Sequence, residues 1–214
     1  MALSGPAPAG HGRAIIAAMS AGVRGAVVLL SATILLSATF LRPLRVAAEQ
    51  DVPSELQAAI ITRMLGYDRA LKGRIGPSLT IGIVVKAGDR AAGKLESELQ
   101  QAFAAQGSVQ GTPVSVRVHT YTTAAPFTEW ITSQGIEVLY VAPGLDKELE
   151  AVRAVCAEHH VVSVSSVRAY VKQGLAVGVV AKGESPGLLV NLAVARSAGM
   201  DMDPKLLSLA EVLR

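Results

Sequence analysis

The segment LTIGIVVK, Leu79 to Lys86, limits the fold more than any other part of this chain. Its apolar run is continuous, without the every-second-residue polarity of a strand wet on one face, so it has to be covered on both faces. Helical-period segments stand on either side of it to do so. DVPSELQAAIITRMLGYDRAL precedes it, with Ser54 as cap and Leu56, Ile60 and Met64, beside Ile61 and Leu65, as an apolar stripe. RAAGKLESELQQAFAAQ follows, with Leu95, Leu99 and Phe103 inward. The alternation continues: strand VSVRVHTY from Val114, helix APFTEWITSQ, strand EVLYVA from Glu137, helix LDKELEAVRAVCAEH, strand VVSVSS from Val161 and short helix VRAYVKQ. LAVGVVAKG and GLLV then meet across KGESPG, whose Gly and Pro residues mark a turn between antiparallel strands. Right-handed crossovers leave few alternatives for this order. The expected fold is a three-layer α/β/α arrangement whose sheet is mostly parallel and doubly wound, with an antiparallel C-terminal hairpin.

Two closing helices are expected after the hairpin. Asn191 caps the first and Gly199 supplies the left-handed residue that stops it. Asp203 caps the second, with Pro204 in its first turn, where a missing N–H costs nothing. Leu206, Leu209, Ala210 and Leu213 fall at i, i+3, i+4 and i+7, which predicts one buried face running to the end of the chain.

The first 48 residues read differently from the rest. GAVVLLSATILLSATFL, Gly25 to Leu41, is uncharged, follows Arg24, and precedes small residues at Ala47 and Ala48. That order is a secretory signal peptide, with cleavage expected after Ala48 and a single domain from 49 to 214. Translation from Met19 leaves a shorter, more ordinary signal. An uncleaved anchor is the alternative, since the run approaches the roughly 18 to 20 apolar residues that span a bilayer. Either way the remainder is expected outside the cytoplasm, in the periplasm. All 17 acidic residues follow the leader, but only 16 of the 20 basic ones do, so the domain has a charge of 16 − 17 = −1. The basic balance belongs to the leader and is no argument for nucleic acid, which needs a clustered basic face.

The residues that carry chemistry are sparse. Cys156, the single cysteine, continues the helical series Leu145, Leu149, Val152 and is expected to pack as a small hydrophobe. A metal site from Cys156, His159 and His160 lacks a fourth ligand, and consecutive residues point apart. No G-x-S-x-G, G-x-G-x-x-G or H-E-x-x-H pattern occurs, and KAGDRAAGK, Lys86 to Lys94, misses phosphate-loop spacing. His119 falls on the strand face opposite Val114, Val116 and Val118. No catalytic, metal or cofactor-binding residue is assigned. Open α/β sheets bind ligands at the carboxyl ends of their strands. Here that crevice comprises Gly88, Asp89, Thr120, Thr123, Gly144, Ser165 and Ser166, a composition that suits a small polar ligand and equally suits ordinary turns.

The C-terminal third resembles a known family. Asn191-Leu192, the Ala-rich stretch to Ala198, Gly199, and Leu206-Leu207-Ser208-Leu209-Ala210 resemble YfiR-type proteins, and VLYVAPG, Val138 to Gly144, stands where they have an apolar strand before a loop. The resemblance covers Val52 to Arg214. YfiR-type proteins usually end an aromatic-rich first helix in Trp-Pro, where this chain has Tyr67-Asp68-Arg69, and family members near the best-known ones carry cysteine pairs, where this chain has only Cys156. The resemblance implies a periplasmic, non-enzymatic negative regulator of a membrane diguanylate cyclase or sensor kinase, acting in cyclic di-GMP signalling. The alternative is a small periplasmic solute-binding protein. Whether a small-molecule ligand or a second copy in a homodimer is also bound stays open from sequence.

Overall fold

The computed structural model describes residues 52–88, 90–183 and 185–214. The leader, its cleavage point and Asp89 lie outside them. Eight strands form one sheet: β1 (Leu79–Lys86), β2 (Ser108–Val109), β3 (Thr112–Tyr121), β4 (Val138–Val141), β5 (Val162–Ser165), β6 (Val177–Lys182), β7 (Ser185–Asn191) and β8 (Glu211–Leu213). Their spatial order is β2-β3-β1-β4-β5-β6-β7-β8. β3, β1, β4, β5 and β6 run parallel, β6 and β7 form the expected antiparallel hairpin, and β8 returns parallel to β7.

The central strand is buried along its length, as its composition requires. Its side chains alternate between two cores. Ile81, Ile83 and Val85 pack under α1 (Ser54–Leu65) and α3 (Arg90–Ala104), with Met64, Leu99 and Phe103. Val84 faces the other layer, built from α4 (Ala124–Ser133), α5 (Leu149–Glu158) and α6 (Arg168–Lys172), with Phe127, Leu149, Val152 and Tyr170. The period of two along the strand therefore separates the layers. Gly82 makes room on this second face. A Cβ there would lie 2.7 Å from the Trp130 ring, so only glycine lets the indole lie against β1.

Three local expectations change. Pro53, rather than Ser54, occupies the N-cap of α1, and the Ser54 hydroxyl instead donates to Glu98 at 3.2 Å. The stripe on α1 is rotated: Ala58, Ile61, Met64 and Leu65 are buried, whereas Leu56 is exposed. The last expected helix is short. α7 (Leu192–Ser197) is capped by Asn191 and followed by Gly199 at φ +82°, and α8 (Pro204–Leu209) is capped by Asp203 onto the Lys205 N–H at 2.8 Å, as their sequences predict. Ala210 then turns extended and residues 211–213 become β8. Leu206 is buried but Leu209 is 82% exposed, and Leu213 packs on the separate cluster of Val171, Val180 and Leu189. Helical spacing and strand addition compete for these residues. As a strand these residues pair their backbone groups with the open edge of β7. Arg168 donates to both Glu211 carboxylate oxygens at 2.8 and 2.9 Å, fixing β8 and holding that carboxyl below its usual range.

The α1 stop and the C-terminal segment are joined through one buried carboxylate. Asp68, following α1, pairs with Arg74 of α2 (Leu71–Arg74) and accepts the Ala70 and Asp201 N–H groups at 3.0 and 2.9 Å. Arg74 donates onward to the Ala198 carbonyl at 3.1 Å. The Tyr67-Asp68-Arg69 sequence is thus an anchor for the chain that leads into α8.

Candidate functional site

The topology creates a switch point. From β1 the chain crosses to β3 on one side, and then to β4 on the other, so the loops after β1 and β4 diverge. Gly88 lies in the exposed turn after β1 at φ +75°, and Gly144 follows β4 at φ +91°. Thr120 is exposed near the end of β3, and Thr123 is exposed at the N-cap of α4 without a side-chain cap bond. Ser165 is fully buried. It donates to the Val141 carbonyl at 2.8 Å and accepts the Val167 N–H at 3.1 Å, so its hydroxyl stitches β5 to β4. Of the described residues expected here, Ser166 alone lines the crevice of about 200 Å³ found at this end, beside Pro143. The other walls are Val52, Pro53, Ser54 and Gln57 at the start of α1, and Leu95 and Glu98 on α3.

The polar groups of this crevice bond mainly to one another. Gln57 is buried; its amide donates to the Val52 carbonyl and its oxygen accepts the Tyr140 hydroxyl. Tyr140 also lies 3.1 Å from Ser166, and Glu98 accepts Ser54 while facing Lys94 at 3.6 Å. Ser166 has no histidine beside it among the described residues of this wall, so the arrangement supplies contacts and no activated nucleophile. Tyr140 and Gln57 are not among the residues that the sequence singles out. The one signal for them is a tyrosine inside an otherwise aliphatic strand, since a buried phenol needs a partner.

The remaining chemistry-bearing residues sit elsewhere. His119 is on the face opposite Val116 and Val118, its ring stacked on Trp130 with centroids 4.9 Å apart and near Phe127 at 5.8 Å. Burial among these rings lowers its pKa from 6.5. Cys156 is buried in the α5 core, which pushes its thiol up to about 12 and leaves it unreactive at neutral pH. His160 turns away, its Nδ1 3.0 Å from the Ser197 carbonyl. Among the described residues, no group of three or more His, Cys, Asp or Glu is placed to hold a metal ion.

A second concavity lies between α1, β7 and α8. It measures about 280 Å³ and is lined by Ile60, Arg63, Met64, Tyr67, Pro186, Gly187, Leu188, Leu206 and Leu209. Met64 and Leu206 form a buried floor, while Tyr67 and Leu209 stand exposed at 40% and 82%. Leu56, one turn before Ile60 on α1, is the other exposed large hydrophobic residue among those described. Helical spacing in the sequence conceals this groove, because it carries the last helix on to Leu213 and so places Leu209 inside.

The geometry is that of a doubly wound α/β domain with an internally bonded crevice and an exposed apolar groove. The chain belongs to the YfiR/HmsC-like family, whose model matches residues 54–211. Among solved structures it is similar to a conserved domain protein from Vibrio cholerae (16% identity, TM-score 0.58, covering 76% of this chain and 60% of that one). It is also similar to an ABC domain from Streptococcus pneumonia solved in complex with L-Trp (11% identity, TM-score 0.58, covering 75% and 60%). A third similar structure is CD0873 from Clostridium difficile, a substrate binding protein with adhesive properties (16% identity, TM-score 0.50, covering 72% and 59%). The chain thus spans about 60% of the length of these solved chains, and at such identities the likeness is one of fold. A search of curated proteins finds no match.

Proposed function

We propose that this protein is an exported, non-enzymatic regulator that binds the outer part of a membrane signalling protein, a diguanylate cyclase or a sensor kinase, and represses it. The observation that carries this reading is the family match across residues 54–211, joined to an apolar groove on a domain whose polar crevice is internally bonded. Repression works by population shift: the regulator binds the inactive arrangement of its partner more tightly than the active one, and release lets the cytoplasmic half signal. Moving a partner from 1% to 99% inactive requires about a 10⁴-fold difference in affinity between the two states. The leader and the periplasmic location belong to the same proposal.

The second reading is a small solute-binding protein, favoured by the fold likeness to a substrate binding protein and by the crevice at the strand ends. Such proteins close two lobes on a ligand, and the described residues form one sheet with its covering helices. Deleting the gene separates the two readings. The regulator reading expects cytoplasmic cyclic di-GMP or kinase output to rise, and the rise to vanish when the partner is deleted as well. Unchanged signalling, with loss of uptake of a small solute, supports the second reading.

A further inference from the structure

We infer that the groove between α1, β7 and α8 is the docking site for the regulated protein, and that its occupant is a segment of that protein presenting an apolar side chain flanked by a carboxylate. This deepens the regulator reading and rests on it. Three observations converge on the groove. The exposed large hydrophobic residues of the described chain, Leu56, Tyr67 and Leu209, lie in it or on the α1 face that leads to it. Its floor is apolar and sunken, formed by Met64 and Leu206 beneath Ile60 and Leu188. A hollow of about 280 Å³ takes an inserted side chain, which a flat lipid surface does not present. The wall carries the cation Arg63, and Lys205 precedes Leu206 on α8; neither forms an ion pair among the described residues. The described lining of the groove includes no acid, so charge complementarity selects a carboxylate on the occupant.

The groove walls are held independently of any occupant. Asp68 and its bonds to Ala70, Arg74 and Asp201 fix the end of α1 against the segment that starts α8. Leu209 is therefore presented on a positioned helix, not on a loose terminus. That lowers the ordering cost of docking and makes it a candidate for a residue on which binding depends.

The test places a photo-crosslinking amino acid at Leu209 in the full chain, expressed in its own cells, with Glu158 on α5 of the opposite layer as control. The expected product is a crosslink from position 209, absent from position 158, to an apolar, carboxylate-bearing segment of the outer part of a membrane signalling protein. Arg63→Glu should weaken binding to that protein by about tenfold, and changing the partner's carboxylate to lysine should restore it. A crosslink from 209 to a second copy of this chain overturns the assignment, as does loss of binding to phosphatidylglycerol vesicles on Leu209→Glu, which assigns the groove to a lipid surface. A crosslink to the signalling protein from 158 and none from 209 overturns the groove and keeps the regulator. If deleting the gene leaves signalling unchanged, the regulator reading itself fails, and this inference with it.

Discussion

The crevice at the strand ends and the groove beside α8 share a helix, α1, yet they treat solvent in opposite ways. In the crevice, Gln57, Tyr140, Ser166, Ser54 and Glu98 engage one another, so a polar ligand entering there has to displace bonds already made. In the groove, Leu209 and Tyr67 stand in water. Covering exposed apolar surface contributes about 25 cal/mol per Å². Displacing satisfied hydrogen bonds contributes little net. The position favoured by fold topology is therefore filled with structural bonding, while the exposed apolar surface lies at the C-terminal edge.

The largest expected effect tests what holds the groove open. Asp68→Ala removes one partner of a buried ion pair and strands Arg74, at a cost of about 3 to 5 kcal/mol. Chemical denaturation should show that loss, and hydrogen exchange should show α8 released first. An unchanged midpoint would mean that α8 is held by its apolar contacts alone.

Tyr140→Phe tests the crevice in the same way. It leaves Gln57 without the phenol hydroxyl it accepts and should cost about 1 to 3 kcal/mol. If the variant is instead neutral and a small polar ligand stabilises the wild type against heat, the crevice bonds are a ligand site and the contrast with the groove is lost.

His119 probes the layer opposite the groove. Its folded pKa lies below 6.5, so the folded state prefers the neutral ring. Its contribution is fully present above pH 6.5 and is lost as pH falls from there through the lower folded value. His119→Phe should remove part of this acid sensitivity, read as a smaller drop in Tm between about pH 7 and about pH 5. An identical pH dependence in the variant would assign the sensitivity to other groups.

The smallest effect on stability is the most informative. Leu209 is almost wholly exposed, so Leu209→Glu should change stability by no more than about 0.5 kcal/mol. A much larger loss would show that the residue belongs to the core, as its helical spacing suggests.

Much of the layered architecture was legible because burial on both faces leaves a composition that only covered strands have. LTIGIVVK and VLYV show it, and the caps at Asn191 and Asp203 with the stop at Gly199 carry local physics that needs no tertiary context. The end of α8 was not legible. Leu206, Leu209 and Leu213 satisfy a helical period equally well whether or not the chain turns at Ala210, and the open edge of β7 that decides it is formed by distant residues. The candidate site was only partly legible. Ser165 and Ser166 look alike in sequence, but one faces the Val141 carbonyl inside the sheet and the other the crevice. Asp68 reads as a turn residue until Arg74 and Asp201 close around it.

The most direct measurement compares the two sites in one background. A strain deleted for this gene is complemented with the wild type, with Leu209→Glu, or with Ser166→Ala, and cyclic di-GMP or partner-kinase output is measured at equal periplasmic protein levels. Full repression is expected from the wild type and from Ser166→Ala, and loss of repression from Leu209→Glu. Repression retained by Leu209→Glu and lost by Ser166→Ala would contradict the assignment and return the function to the crevice.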